Sequence, residues 1–312
     1  MKSGLALAVP PRKPTLGKER KLKGTEAEMI RPLPRLFLNH MDAWQVALII
    51  TALALLLHQA VTPAALWLLV VMGSGYWLAF ALNDYYDAPE DALDPQKACR
   101  NFFVTASLRV RHIWWLLFAL VLLAQGRYFI SLGWRGLLVG SLSMLVMWAY
   151  SAPPLRLKCR PGWDLLTHAL FVETYPYAAT LILINATWTW RDGVILGIVC
   201  LASLTAQIEQ QVRDYAIDAQ AGQTAVVRWG RSWARRWLKV GTAVLITFTL
   251  INVFRGLFPP FLLPIGLISL PALFHRFLRP PQHHRSERLV LLSTTMAFVY
   301  FTAVFLYTWF TQ

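Results

Sequence analysis

The run Asn83-Asp84-Tyr85-Tyr86-Asp87-Ala88-Pro89-Glu90-Asp91, with Asp94 just beyond, follows directly on a long apolar stretch over 62–82. The chain has 16 acidic residues, and five of them (Asp84, Asp87, Glu90, Asp91 and Asp94) fall within eleven positions here. The rest of the protein is apolar and basic, with a net charge of +14. Carboxylates crowded in this way repel one another unless a cation lies between them, and hard divalent cations take oxygen ligands. The stretch therefore reads as a metal site at a membrane boundary. A solvated acidic loop is the plain alternative.

The apolar stretch before it is one of several. The chain is 56% hydrophobic, its mean hydropathy is +0.46, and runs long enough to cross a hydrocarbon core recur along most of its length. Nine spans are expected, over about 42–59, 62–82, 112–126, 131–150, 164–184, 193–211, 233–254, 260–277 and 289–310. Fourteen Trp and ten Tyr suit a chain that crosses many membrane–water interfaces. The expected class is an all-α, polytopic membrane protein with one transmembrane bundle over 41–312 behind a basic tail over 1–40.

Charge placement sets the topology. Residues 1–35 carry nine Lys/Arg against three Glu, which marks a cytoplasmic tail by the positive-inside rule and argues against a nucleic-acid partner. The tail has no signal-peptide pattern. With the amino terminus inside, the cytoplasmic segments become 1–41, 83–111, 151–163, 212–232 and 278–288, and these hold most of the basic residues. The three cysteines, Cys99, Cys159 and Cys200, are far apart and form no CxxC pair, so neither a disulfide framework nor a zinc site is expected.

A second acidic pair lies after the sixth span, in Arg213-Asp214-Tyr215-Ala216-Ile217-Asp218. Asp214 and Asp218 are four apart and share a face if helical. In the first cluster Asn83, Asp87 and Asp91 are also spaced by four. Pro89 complicates that spacing, because an internal proline removes a hydrogen bond and crowds the preceding turn. The second span is thus expected to break near Asp87, with Pro89 opening a short cytoplasmic helix. Two carboxylate sets on one membrane side, ringed by Arg and Lys above an apolar bundle, match a ligand with a diphosphate head and a lipid-like tail. Mg²⁺ commonly binds a few carboxylates plus substrate phosphates, and Arg and Lys take the remaining phosphate oxygens.

These residues resemble the motifs of the UbiA superfamily of intramembrane prenyltransferases. Asn83 to Asp91 is similar to its NDxxDxxxD motif, and Asp214 with Asp218 to its DxxxD motif. The continuation through Ala221-Gly222, Thr224 and Gly230 is similar as well. Tyr150-Ser151-Ala152-Pro153-Pro154-Leu155-Arg156-Leu157-Lys158 resembles a YSxPPLxLK segment of the chlorophyll-synthase, tocopherol-type and archaeal lipid branches. The chain departs from many members after the first motif, where Lys97-Ala98-Cys99-Arg100-Asn101 replaces an Asn-Arg-Pro-Leu segment, and at Gln223, where some branches carry Lys.

The resemblance implies a Mg²⁺-dependent enzyme that moves a prenyl group from a prenyl diphosphate donor to a lipophilic acceptor. That acceptor is a quinone or aromatic precursor, a chlorophyll-type alcohol, a glycerol lipid or a carotenoid. It implies that Asn83, Asp87 and Asp91 hold one metal with Asp84 nearby, and that Asp214 and Asp218 hold a second. Lys97, Arg100, Arg156, Lys158 and Arg213 then bind the diphosphate, and Tyr150 faces the allylic cation. The setting is a multi-pass protein among membrane lipids of a bacterial plasma membrane, with the site on the cytoplasmic side. Two other readings are a cation transporter and a CDP-alcohol-type phosphotransferase. The first expects carboxylates near the bilayer midplane, and the second an Asp-Gly pair that neither cluster has. Glu173, in the fifth span, either serves an acceptor or is a protonated structural group.

Overall fold

The computed structural model describes residues 36, 38–221, 224–280, 283 and 285–311. Residues 1–35 and 37 of the basic tail, the side on which the amino terminus lies, Gly222, Gln223 and His284 fall outside these residues. Among the described residues the chain is helical, without strands. The helices are α1 (Met41–Leu57), α2 (Pro63–Asp91), α3 (Pro95–Arg100), α4 (Phe102–Thr105), α5 (Leu108–Ser131), α6 (Gly133–Ser151) and α7 (Trp163–His168). After a π-helical turn over Ala169–Thr174 come α8 (Tyr175–Leu183), α9 (Trp190–Ala221), α10 (Ala225–Trp229), α11 (Arg231–Phe254), α12 (Leu263–Leu278) and α13 (Glu287–Thr311).

Each expected apolar stretch is helical, and the stretch near 164–184 carries the π turn in its middle. Among the described residues six helices are long and apolar enough to cross a membrane: α2, α5, α9, α11, α12 with the turn before it, and α13. The chain is an integral membrane protein. The long helices contact one another in sequence order, and α13 returns to pack on α1, so the bundle closes into a ring. α1 also packs on α8 across the interior. Its buried face (Ile50, Leu53, Ala54, Leu55) sits with Val71 and Met72 of α2, Tyr177 and Leu181 of α8, and Phe301 and Phe305 of α13. Helices of this kind bury small and branched side chains toward each other and leave large apolar ones outward, as with Trp67, Leu123 and Phe310.

The expected break near Asp87 does not occur. α2 continues to Asp91, and Pro89 lies inside it. Proline at that position removes only the donor that would reach the Tyr85 carbonyl, and the helix ends two residues later, so one bond is lost rather than a whole turn. The short cytoplasmic helix opens instead at Pro95, the first residue of α3, where a missing N–H costs nothing.

α2 and α9 have 29 and 32 residues. At 1.5 Å per residue they reach about 44 and 48 Å, well beyond a hydrocarbon core of about 30 Å. Each is long enough to cross the core with its last turns, which carry the acidic motifs, to spare.

α5 and α6 form a tight hairpin through Gly133, whose φ of 67° suits only a residue without Cβ. A Cβ on Gly136 would lie 1.9 Å from the Phe129 carbonyl oxygen. Gly136→Ala is expected to lower stability by about 1–3 kcal/mol through overpacking, read as a lower melting temperature in detergent. An unchanged melting temperature would show that the hairpin does not need this close approach.

Candidate active site

The first motif is held in shape by side chains from three other segments. Asn83 and Asp87 are one helical turn apart, and the Asn83 amide donates to Asp87 Oδ2 at 2.9 Å. Lys158, from the loop after α6, donates to Asn83 Oδ1 at 2.8 Å and also contacts Asp87 Oδ1. Arg156 contacts Asp87 at 3.3 Å and Glu90 at 2.7 Å. Its backbone is left-handed, with φ 40°, which costs a non-glycine residue about 1–2 kcal/mol. The two ion pairs offset that cost. Burial disfavours the guanidinium charge, but Glu90 outweighs it and raises the pKa of Arg156.

Asp91 lies on the same face and accepts from the Asn101 amide at 2.8 Å. That amide also donates to the Asp84 carbonyl at 2.8 Å, and Asn101 Oδ1 caps α4 through Phe103 N at 2.9 Å. Asn101 thus fastens the short helices to the end of α2.

Asp84 points away from the cluster. It is buried, and it accepts from Asn39 at 2.9 Å and pairs with His40 Nε2 at 2.7 Å. His40 stacks on Phe80 with ring centroids 4.9 Å apart, and Trp77 Nε1 donates to Leu36 O at 3.1 Å. Leu36, Asn39 and His40 are in this way pinned along α2. Burial disfavours the imidazolium, but the hydrogen bond and charge of Asp84 outweigh it and raise the pKa of His40.

The second motif sits in the last turns of α9. Arg213 donates to both oxygens of Asp214, at 2.7 and 3.0 Å, and to Glu287 at the start of α13 at 2.7 Å. Lys97 of α3 lies 3.7 Å from Asp214, and its charge also acts on Asp91 and Asp218. Lys97 therefore joins the two motifs, and Asp87 and Asp218 feel one another's charge. Arg100 does not join them. It is exposed at the end of α3, lining a separate groove with Asp42 and Arg288.

Among the described residues no three of Asp, Glu, His and Cys converge on one point, because Lys, Arg and Asn side chains lie between the carboxylates. The donors still suit a hard cation. They are carboxylate and amide oxygens, and the Lys158 ammonium already stands as a cation between Asn83 Oδ1 and Asp87 Oδ1.

Beside this charged end is a cavity of about 280 Å³ between α2, α5, α6 and the helix that contains the π turn. Its wall is mostly apolar, with Phe80, Leu122, Phe129, Met144 and Phe171. Asn83 and Tyr150 line it too, so Asn83 belongs both to the carboxylate cluster and to the cavity wall. Glu173 lies in the π turn and is not among the lining residues.

The sequence reading missed Asp164. It is fully buried at the start of α7 and accepts four hydrogen bonds: from Gly162 N and Leu165 N at 2.8 Å, from Gln211 Nε2 at 2.8 Å and from Ala225 N at 2.7 Å. Gln211 in turn accepts from Val226 N at 3.2 Å. Together they clamp α10 onto α9 one turn before Asp214. The available signal was an acidic residue just after Gly162 at the head of an apolar run, a helix-start pattern; its two donors from α9 and α10 lie 47 and 61 positions away.

A ring of apolar helices thus carries two aspartate motifs at one end, beside a mostly apolar cavity. The family model for the UbiA prenyltransferase family matches residues 46–301, and the chain belongs to that family. Solved structures of a UbiA homolog from Archaeoglobus fulgidus are similar in fold. The form bound to GPP and Mg²⁺ has a TM-score of 0.68 at 22% identity, covering 88% of this chain and 99% of that one. The form bound to DMAPP and Mg²⁺ has a TM-score of 0.64 at 22% identity, covering 87% and 98%. No curated protein matches the sequence at a significant level.

Two outcomes test this geometry. Asp164→Ala strands several buried donors, at about 1–3 kcal/mol each, and is expected to lower the melting temperature by more than any exposed substitution. His40, with its raised pKa, contributes stability that is fully present below the usual histidine value and is lost as pH rises through the folded-state value. The melting-temperature gap between wild type and Asp84→Asn is expected to be largest near about pH 5.5 and to shrink by about pH 8.5. A gap that grows with pH would refute the pairing.

Proposed function

We propose that the protein transfers a prenyl group from a prenyl diphosphate to a lipophilic acceptor in or near the membrane, with Mg²⁺. One observation carries this reading: Asn83 lines the apolar cavity and also belongs to the cluster of Asp87, Lys158 and Arg156. A molecule with an anionic head and an apolar tail fits that continuity. The UbiA homolog structures with GPP and DMAPP support it.

Asn83, Asp87 and Asp91 would hold one Mg²⁺, and Asp214 and Asp218 a second. The metal supplies charge neutralisation on the departing diphosphate. Lys158, Arg156 and Lys97 already lie against the carboxylates, and they bind phosphate oxygens and stabilise the charge that builds as the C–O bond breaks. Arg213 supports the site from its bridge between Asp214 and Glu287, and Arg100 lies at its outer edge. Asp84 acts through position, because His40 and Asn39 hold it on the far side of α2. Tyr150, on the cavity wall, presents a ring face to the allylic cation. The apolar wall keeps water from that cation.

The topology that suits this chemistry has nine spans in a single domain after a basic tail, with the amino terminus and the site on the cytoplasmic side of a bacterial plasma membrane. Membrane lipids surround it, and no nucleic acid takes part. The acceptor is a quinone or aromatic precursor, a chlorophyll-type alcohol, a glycerol lipid or a carotenoid.

The test is turnover of labelled prenyl diphosphates by purified protein in nanodiscs, with a membrane-lipid extract as acceptor and Mg²⁺ or EDTA. Transfer is expected with Mg²⁺ alone, falling on the order of 10²–10³-fold in Asp87→Ala and Asp218→Ala, as when a preorganised charge-stabilising group is removed. Folded protein that consumes no donor would sink the reading and favour cation transport.

A further inference from the structure

Coupling a prenyl cation to an arene, an alkene or a hydroxyl leaves one proton to be removed from the acceptor. The described residues lining the cavity include no carboxylate and no lysine. Tyr76 donates to the Phe171 carbonyl and Tyr175 to the Val139 carbonyl, and Gln125 is held by Val71 O and Ser74. Phenols, amides and hydroxyls are not bases near neutral pH. His168 is the one described lining residue with a ring-nitrogen lone pair that can take up a proton.

Its orientation is fixed. Ser203 of α9 donates its hydroxyl hydrogen to the His168 carbonyl at 3.0 Å, and the same oxygen lies 3.1 Å from His168 Nδ1. A serine hydroxyl has one hydrogen to give. With that hydrogen committed to the carbonyl, Nδ1 must be the donor, so the proton sits on Nδ1 and the lone pair on Nε2. Nε2 has no hydrogen-bond partner among the described residues, and it is not among the buried unpartnered atoms. It therefore keeps an accessible face in the residue that lines the cavity.

The level in the bundle is also right. His168 is five residues after Trp163, where the helix begins, or about 7.5 Å in from that edge at 1.5 Å per residue. Asn83 is eight residues, about 12 Å, in from the end of α2. Both thus stand within about 12 Å of the helix ends beside the acidic motifs, and Tyr150 of α6 lines the cavity with them.

We infer that His168 is the general base of the coupling step, an inference that rests on the prenyl-transfer reading above. The C1–O bond of the donor breaks and its electron pair leaves with the diphosphate. A π pair or a hydroxyl lone pair of the acceptor forms the new bond to C1. The proton on that reacting carbon or oxygen passes to Nε2, and the imidazolium later returns it to solvent. The acceptor class is thereby narrowed to molecules that carry a hydrogen on the reacting atom.

The experiment follows the donor and the label separately in the nanodisc assay with Mg²⁺, comparing wild type, His168→Gln, His168→Asn and Ser203→Ala. Ionisation does not need the base, so both His168 variants are expected to release diphosphate while label coupled to acceptor falls about 100-fold or more. The remaining label should appear as prenyl alcohol or diene. Ser203→Ala, which frees the ring, is expected to fall between these and wild type. Coupling within a few-fold of wild type in either His168 variant overturns the proposal. Loss of diphosphate release and coupling together in both folded variants overturns it as well, because the ring is then needed before the proton step. A wild-type protein that releases no diphosphate overturns the prenyl-transfer reading itself, and the inference with it.

Discussion

Two sets of carboxylates stand at the C-terminal ends of two long helices, and the rest of the molecule answers to that placement. A helix C-terminus carries the negative end of the macrodipole, so Asp87 and Asp91 on α2, and Asp214 and Asp218 on α9, add charge where charge is least welcome. The protein meets this with cations from other segments: Lys158 and Arg156 beyond α6, Lys97 on α3, and Arg213 bridging to Glu287. An arrangement that gathers positive charge around oxygen donors is also one that a metal–diphosphate complex can enter, exchanging one set of ion pairs for another.

The bundle supplies what a charged cluster alone lacks. α2 serves twice, with its apolar half walling the cavity and its polar end carrying the motif, and Asn83 marks the change from one to the other. Short connections beyond the membrane edge hold that end in register. Asn101 ties α3 and α4 to Asp84 and Asp91, and Asp164 with Gln211 ties α10 to α9. These buried polar groups are well satisfied, which rigidifies a region that composition alone would leave as loop. His168 uses the same economy, one serine fixing both a carbonyl and a ring.

Much of this was legible in the chain. Apolar runs announced the helices, because a span through hydrocarbon must satisfy its own backbone and so must be helical. The i, i+4 spacing of Asn83, Asp87 and Asp91, and of Asp214 and Asp218, announced shared faces. Pro89 misled, since its effect depends on how much helix follows it, and only two residues did. Asp84 sits among the motif's carboxylates in sequence, but a step of one residue turns a helical side chain about 100° away, toward His40.

The sequence by itself determined the all-helical membrane class, the two acidic motifs and the basic residues available to balance them, because periodicity and composition are local properties. Only the tertiary structure decided which cation meets which carboxylate, why Arg100 stands apart, how Asp164 clamps α10 and which way His168 presents its lone pair. Those choices rest on contacts between residues tens of positions apart, such as Asp164 with Ala225 or Asn83 with Lys158. Ring closure of the bundle, not local propensity, sets those distances.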